Sequence, residues 1–128
     1  MKERDPLTGA VIGAAIEVHR ALGPGLLEKA YRDCLMHELR LRDVECASEV
    51  PLDLSYKGMR VPGAYRVDLL VARRLVVEVK AVEEVLPVHR SQVLTYQRLL
   101  RVPIGLLLNF HVPVMKEGVF RLIDDGRR

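Results

Sequence analysis

The sequence predicts an α/β fold: a mixed central β-sheet flanked by helices, in the order helix, helix, three strands, helix, strand, strand. Three observations carry that expectation. Apolar residues recur at helical spacing up to about Arg42, the period falls to two from Val44, and a nearly continuous apolar run, Ile104 to Phe110, follows one more helical stretch. A strand apolar on both faces belongs in the middle of a covered sheet. The helix before it allows a parallel crossover within a sheet otherwise built from hairpins.

The first helix starts at Asp5-Pro6, with Asp at the cap and Pro in the first turn. Val11, Ile12, Ala15, Ile16, His19 and Leu22 form its apolar face, and Gly23-Pro24-Gly25 ends it, because Gly suits the left-handed cap and Pro cannot continue the helix. A second helix runs from near Leu26 to about Arg42, with Leu27, Tyr31, Cys34, Leu35 and Leu39 as its stripe. Glu28 sits at the edge of that stripe; its simplest role is a first-turn acid favoured by the helix dipole and bridged to Arg32. Val50, Leu52 and Leu54 alternate with polar residues as a strand, Lys57-Gly58 turns the chain, and the return strand begins at Met59 and Val61 with an interruption at Pro62-Gly63. A third helix covers about Val88 to Arg101, with Val93, Tyr96, Leu99 and Leu100 inward and Gln92 on the face of Tyr96. Val119 to Ile123 is a last short strand, and Asp124 to Arg128 reads as a frayed tail.

At 128 residues, 49% hydrophobic and 29% charged, the chain is expected to form one domain, 1–128, with a core that needs no staples. The net charge of +3 permits a nucleic-acid partner without demanding one. Cys34 and Cys46 lack metal-ligand spacing and read as reduced thiols of a cytoplasmic protein. The apolar stretch after Met1-Lys2-Glu3-Arg4 is rich in Gly and Ala and runs straight into Glu17 and His19, so it reads as a helix of the fold, not a signal peptide. No segment approaches membrane-spanning length.

The chain is organised around Tyr65 to Val82, two aliphatic runs joined at Arg73-Arg74 and carrying Asp68, Glu78 and Lys80. Charges inside such strands are costly to bury unless paired or bound to a metal. A two-residue turn would put Asp68 and Glu78 on opposite faces. A three-residue turn over Ala72, Arg73 and Arg74 pairs Val71 with Leu75 and Asp68 with Glu78. One face then carries Val67, Leu69, Val71, Leu75, Val77 and Val79, and the other Asp68, Leu70, Val76, Glu78 and Lys80. Because a one-residue slip flips every side chain, the clean sorting selects the second register. Opposed carboxylates repel each other, and a divalent cation or a shared proton removes the repulsion. Hard oxygens of this kind suit Mg²⁺, and a lysine beside a metal-bound water can orient it or balance developing charge. A cross-strand ion pair at a sheet edge produces the same triplet, and the residues alone leave both readings open.

Asp68 followed by Glu78-Val79-Lys80 across a hairpin resembles the Asp…(Asp/Glu)-x-Lys signature of the PD-(D/E)XK nuclease superfamily. Gly25-Leu26-Leu27-Glu28-Lys29-Ala30-Tyr31 is similar to the Gly-x-x-Glu-x-x-Tyr motif of the GxxExxY family within it. The likeness extends to Glu17-Val18-His19, Leu22 to Gly25, Tyr56-Lys57-Gly58, Tyr65 to Asp68, Gln92 to Tyr96 and Leu108-Asn109-Phe110. The resemblance implies a restriction-endonuclease-like core in which Asp68 and Glu78 ligate the metal, the Val79 carbonyl is a third ligand and Lys80 is the catalytic lysine. It also implies that Glu28 enters the site from the second helix and Gln92 from the third, while Tyr31, Tyr96 and His19 read as packing residues.

The expected function is a nuclease that hydrolyses phosphodiester bonds with Mg²⁺, or Mn²⁺ in its place. DNA is the expected substrate ahead of RNA, and Arg66, Arg73, Arg74, Arg90 and Arg98 are candidate phosphate contacts. With no second region for sequence reading, specificity is expected from a homodimer, a protein partner or an unusual DNA structure. The competing expectation is a catalytically silent module of the same fold that binds nucleic acid or a protein partner.

Overall fold

A computed structural model describes residues 5–124. In chain order the elements are α1 (Pro6–Leu22), α2 (Glu28–Leu41), β1 (Cys46–Tyr56), β2 (Met59–Val71), β3 (Leu75–Lys80), α3 (Pro87–Leu100), β4 (Ile104–Asn109), a 3₁₀ turn (Met115–Gly118) and β5 (Val119–Ile123). The strands lie in the sheet in the order β1-β2-β3-β4-β5. Neighbours are antiparallel except β3 and β4, which run parallel. This is the mixed, helix-flanked sheet expected from the sequence, with α3 as the crossover. Of the tail expected from Asp124 onward, residues 125–128 lie outside the described residues, as do Met1 to Arg4. No helix among the described residues is long and apolar enough to cross a membrane.

Helices cover both faces of the sheet. On one face Leu69, Val71, Leu75, Val77, Val79, Leu106 and Leu108 pack with Val11, Ala14, Ala15 and Val18 of α1 and Tyr31, Leu35 and Leu39 of α2. On the other, Leu52, Val76, Leu107 and Leu122 pack with Val93 and Tyr96 of α3. Each fully buried Leu or Val contributes roughly 1.5–3 kcal/mol. Asp5 caps α1 as expected, its Oδ2 accepting from the Thr8 N–H at 3.1 Å. The Tyr31 hydroxyl donates to the Gly23 carbonyl and accepts from the Leu26 N–H, and its ring stacks on Phe110 with centroids 4.5 Å apart. Tyr31 thereby holds the α1–α2 connection and sets where α2 begins. His19 is likewise a packing residue, buried with Nε2 2.8 Å from the Val112 carbonyl.

The turn at Ala72-Arg73-Arg74 has the expected length, with Val71 opposite Leu75 and Leu69 opposite Val77. It is closed without glycine: Ala72 (φ 51°) and Arg73 (φ 57°) both adopt the left-handed conformation, at about 1–2 kcal/mol each.

Four expectations are corrected. Leu27 is 81% exposed and Cys34 is exposed, because α2 starts one residue after Leu27 and buries the stripe Tyr31, Leu35, Leu39. In α1 the buried face includes Ala14 and Val18, and Leu22 is exposed. Pro62-Gly63 does not interrupt β2: the ladder shifts register between Leu52 and Leu54, and Asp53 holds the bulge through the Gly63 N–H at 2.8 Å and Arg60 at 2.7 Å. Val67 packs on the α3 face, opposite to Leu69. The alternation breaks because Glu49 is left-handed (φ 51°) and the ladder pairs Ser48 with Leu69 and Val50 with Val67 while leaving out Glu49 and Asp68.

At the far end of β4, Asn109 grips the chain beyond β3: its Oδ1 accepts from the Val82 N–H at 3.0 Å and its Nδ2 donates to the Val82 carbonyl at 2.9 Å. Gly118 packs directly on the Asn109 carbonyl, where a Cβ would sit at 1.9 Å, whereas a Cβ on Gly9 in α1 meets open space. Gly118→Ala is therefore expected to lower unfolding stability by at least ~2 kcal/mol in urea titration. Gly9→Ala is expected to raise it by about 0.5–1 kcal/mol in the same measurement.

Candidate active site

Pairing between β2 and β3 stops at Leu69 and Val77, one step short of the two acids. Beyond that point side chains replace main-chain acceptors. Asp68 Oδ2 accepts from the Val79 N–H at 2.9 Å, and Glu78 Oε1 accepts from the Asp68 N–H at 3.4 Å. A carboxylate is longer than a carbonyl, so the strands part here while the N–H groups stay bonded.

The parting leaves one edge of β3 without main-chain partners on the β2 side. The Val79 N–H points to the β2 side, and in an extended strand a residue's N–H and C=O point the same way; the Val79 carbonyl therefore faces the gap. The Lys80 carbonyl faces the other way and accepts from Phe110 N at 2.8 Å. Two residues on from Val79, the Ala81 N–H donates to Glu28 Oε2 at 3.3 Å. Glu28 thus comes from α2 to the same edge of β3, next to the carbonyl. It makes no ion pair with Arg32, so the simple role expected from helical spacing is not the one it has: Arg32 pairs instead with Glu49 at 3.4 Å and Asp33 at 3.5 Å.

The electrostatics of the pair are those of two acids short of compensating charge. Glu78 is only 5% exposed. Burial pushes its carboxyl up to about 8, with the neighbouring Asp68 charge adding to the shift and Lys80 opposing it. Burial also raises Asp68, against the Val79 N–H and the positive charges of Arg32 and Lys80. Neither acid forms an ion pair within 4 Å among the described residues, although Lys80 lies on the Glu78 face and is close enough to act on both. Tyr96 approaches from α3. Burial first, then the Glu78 charge, lift its hydroxyl to about 12 despite the Gln92 side chain beside it, so it stays a hydrogen-bond donor. Its ring meets Tyr65 edge-on at 5.8 Å.

The structure therefore brings Asp68, Glu78, Lys80, Glu28 and the Val79 carbonyl to one opening in the sheet, with Gln92 one helical turn from Tyr96 at its rim. No three His, Cys, Asp or Glu side chains among the described residues converge as a ready-made metal cage. Two carboxylates and a carbonyl leave the rest of a coordination shell to water and phosphate, which is how Mg²⁺ is usually held. The donor set and its uncompensated negative charge fit a hard divalent cation.

Sequence reasoning passed over two features of this region. Arg32 is the stronger of the two positive charges acting on Asp68, and its buried Nε, 3.5 Å from Asp33 Oδ1, makes no hydrogen bond. It lies four residues after Glu28 on α2, which was the available signal. Glu49 carried no signal, since its left-handed backbone is not marked by a glycine. Of the candidate phosphate contacts, Arg73 and Arg74 lie at the opposite end of β3 from the opening, Arg66 pairs at 3.9 Å with Glu49, and Arg90 stacks over the Phe120 ring at 4.6 Å.

A mixed sheet split beside a buried and a half-buried acid, with helices on both faces, is a restriction-endonuclease-like α/β fold. The model of the PD-(D/E)XK nuclease superfamily matches residues 5–122, and the chain belongs to that superfamily. Its members are as a rule nucleases that work with a divalent metal. No curated protein matches the chain. Among solved structures the chain is similar to the crystal structure of SSO0001, 16% identical with a TM-score of 0.42, over 95% of this chain and 68% of that one.

The Glu78 shift sets a pH dependence. Without metal the folded state keeps the Glu78 proton up to about pH 8, while the unfolded chain releases it near the ordinary value of 4.5. The folded state binds the extra proton in that window, so stability is lost as pH rises from about 4.5 to 8. In EDTA, Glu78→Gln is expected to flatten this slope and to be the more stable protein at pH 8.5, by on the order of a few kcal/mol. Urea unfolding of both proteins at pH 5.5 and 8.5 measures the difference.

Proposed function

We propose that the protein is a Mg²⁺-dependent nuclease, with Mn²⁺ able to replace Mg²⁺, that hydrolyses phosphodiester bonds in DNA. The observation that carries the reading is the meeting of the buried Glu78 carboxyl and the half-buried Asp68 carboxyl, neither in an ion pair among the described residues, at the point where β2 and β3 part. In this reading Asp68, Glu78 and the Val79 carbonyl hold the metal, which when bound lowers the pKa of a coordinated water and offsets charge on the phosphate. Lys80 orients the attacking water and balances charge as it develops. Glu28, anchored on the Ala81 N–H, aligns the edge of β3 that carries the Val79 carbonyl. Gln92 and the protonated Tyr96 hydroxyl fix the Glu78 side from α3.

The Gly25 to Tyr31 motif supports a finer assignment, to the GxxExxY family. Residues 1–128 then work as one nuclease-like domain in the cytoplasm, with specificity from a homodimer or a protein partner.

Calorimetry with Mn²⁺ tests the metal reading: binding at millimolar or tighter affinity is expected in the parent and lost in Asp68→Ala. Cleavage of single-stranded, double-stranded and branched DNA, with RNA alongside, tests the activity; Lys80→Ala should slow it by at least ~100-fold. Metal binding without cleavage of any substrate would favour the silent module instead.

A further inference from the structure

The end of the sheet opposite the acids carries a second concave, charged feature. A cavity of about 420 Å³ is lined by Asp5, Arg73, Arg74 and the segment Leu100 to Ile104. We infer that this cavity binds a nucleoside phosphate, with the phosphate on the guanidinium groups and the base on the apolar wall. The inference does not rest on the nuclease reading.

Charge is the first support. Among the described residues that line it, three arginines, Arg73, Arg74 and Arg101, stand with one carboxylate, Asp5. The pairings they make are loose: Arg74 lies 3.7 Å from Asp5 and Arg73 3.8 Å from Glu45, all well exposed except Asp5. The carboxylate of Asp5 is also engaged by the Thr8 N–H and hydroxyl. Arg101 makes no ion pair among the described residues. The C-terminal end of α3 adds negative potential, and Arg101 at its cap offsets it.

Backbone conformation is the second. Ala72, Arg73 and Arg101 all have left-handed φ values, 51°, 57° and 58°. Gly or Asn is the inexpensive choice at such positions. Two turns that the fold could close with those residues instead present guanidinium groups to one cavity, at a conformational cost.

The wall is the third. Leu100, Val102, Pro103 and Ile104 line the same space. A bare phosphate has no use for that surface, and a purely apolar ligand would leave the guanidinium groups without an anion. An anion with a flat apolar body uses both, since the guanidinium fork matches phosphate oxygens and its plane stacks on aromatic rings. The volume lies within the usual range for small ligands, roughly 300–1,000 Å³. A nucleoside phosphate can come from a free nucleotide or from the phosphorylated end of a strand.

The test uses the full chain carrying Asp68→Asn and Glu78→Gln, in EDTA, so that phosphate cannot be captured through metal at the acids. AMP, adenosine, inorganic phosphate, and a short oligonucleotide with a 5′-phosphate or a 5′-hydroxyl are titrated while backbone amide shifts are followed. AMP is expected to shift amides of residues 72–75 and 100–105, with adenosine and inorganic phosphate each at least tenfold weaker. A 5′-phosphorylated oligonucleotide that binds tighter than AMP assigns the strand end as the source; tighter AMP assigns the free nucleotide. Arg73→Asn with Arg101→Asn removes two of the three guanidinium groups but keeps left-handed backbone inexpensive, so AMP affinity should fall at least tenfold without a lower melting temperature. Arg101→Asn alone, the milder variant, should show a severalfold loss. No shifts with millimolar AMP, unchanged affinity in both variants, or inorganic phosphate binding as well as AMP would overturn the assignment.

Discussion

Two crossed hydrogen bonds decide the architecture of this protein: the Asp68 carboxylate on the Val79 N–H, and the Glu78 carboxylate on the Asp68 N–H. They let β2 leave β3 without stranding a buried donor, which would cost about as much as a lost hydrogen bond. The opening, the unpaired edge of β3 and the approach of Glu28 all follow from that exchange. Its cost is one acid held out of water with a half-buried one beside it, and the raised proton affinities of both record it.

The surroundings can be read as devices that keep this exchange in place. Asn109 fixes the Val82 main chain beyond the opening, and Phe110 N holds the Lys80 carbonyl from the β4 side. Tyr31 ties the α1–α2 connection and so sets the height at which Glu28 enters. On the outer side Glu49, left-handed opposite Asp68, engages Arg32 and Arg66. On the α3 face, Gln97 donates through Nε2 to the Pro103 and Leu122 carbonyls and occupies space that a side chain on Gly105 would claim.

Much of this was legible in the sequence where a period governs it. The alternation in residues 69–79 fixed the hairpin register and put Glu78 on the face of Lys80 and Val76, because a slip would have exposed an aliphatic row. The order of elements followed from the change of period near Val44 and the apolar run at Ile104. What escaped is governed by single backbone angles or single polar contacts. Val67 changes face at Glu49, whose φ of 51° carries no residue signature. Leu27 fell on the helical stripe but precedes the first turn of α2. Gln97 is fully buried, and nothing in its neighbours announces two carbonyls waiting for it. Glu28 was reached by resemblance, since its partner Ala81 lies 53 residues away and no local spacing could reveal it.

The parallel seam between β3 and β4 carries a consequence for how the chain is assembled. The β1–β2–β3 part pairs through short turns, while β4 meets β3 only after α3 has formed and returned. Loop closure has to be met before that non-local pairing rewards it. On the ribosome, a nascent chain that has emerged no further than α3 carries both acids but lacks the Leu106–Leu108 strand that seats β3 between its neighbours. The constellation is thus completed only once the chain from Ile104 onward has emerged, and premature termination before Ile104 leaves hairpins without the seam that orders them.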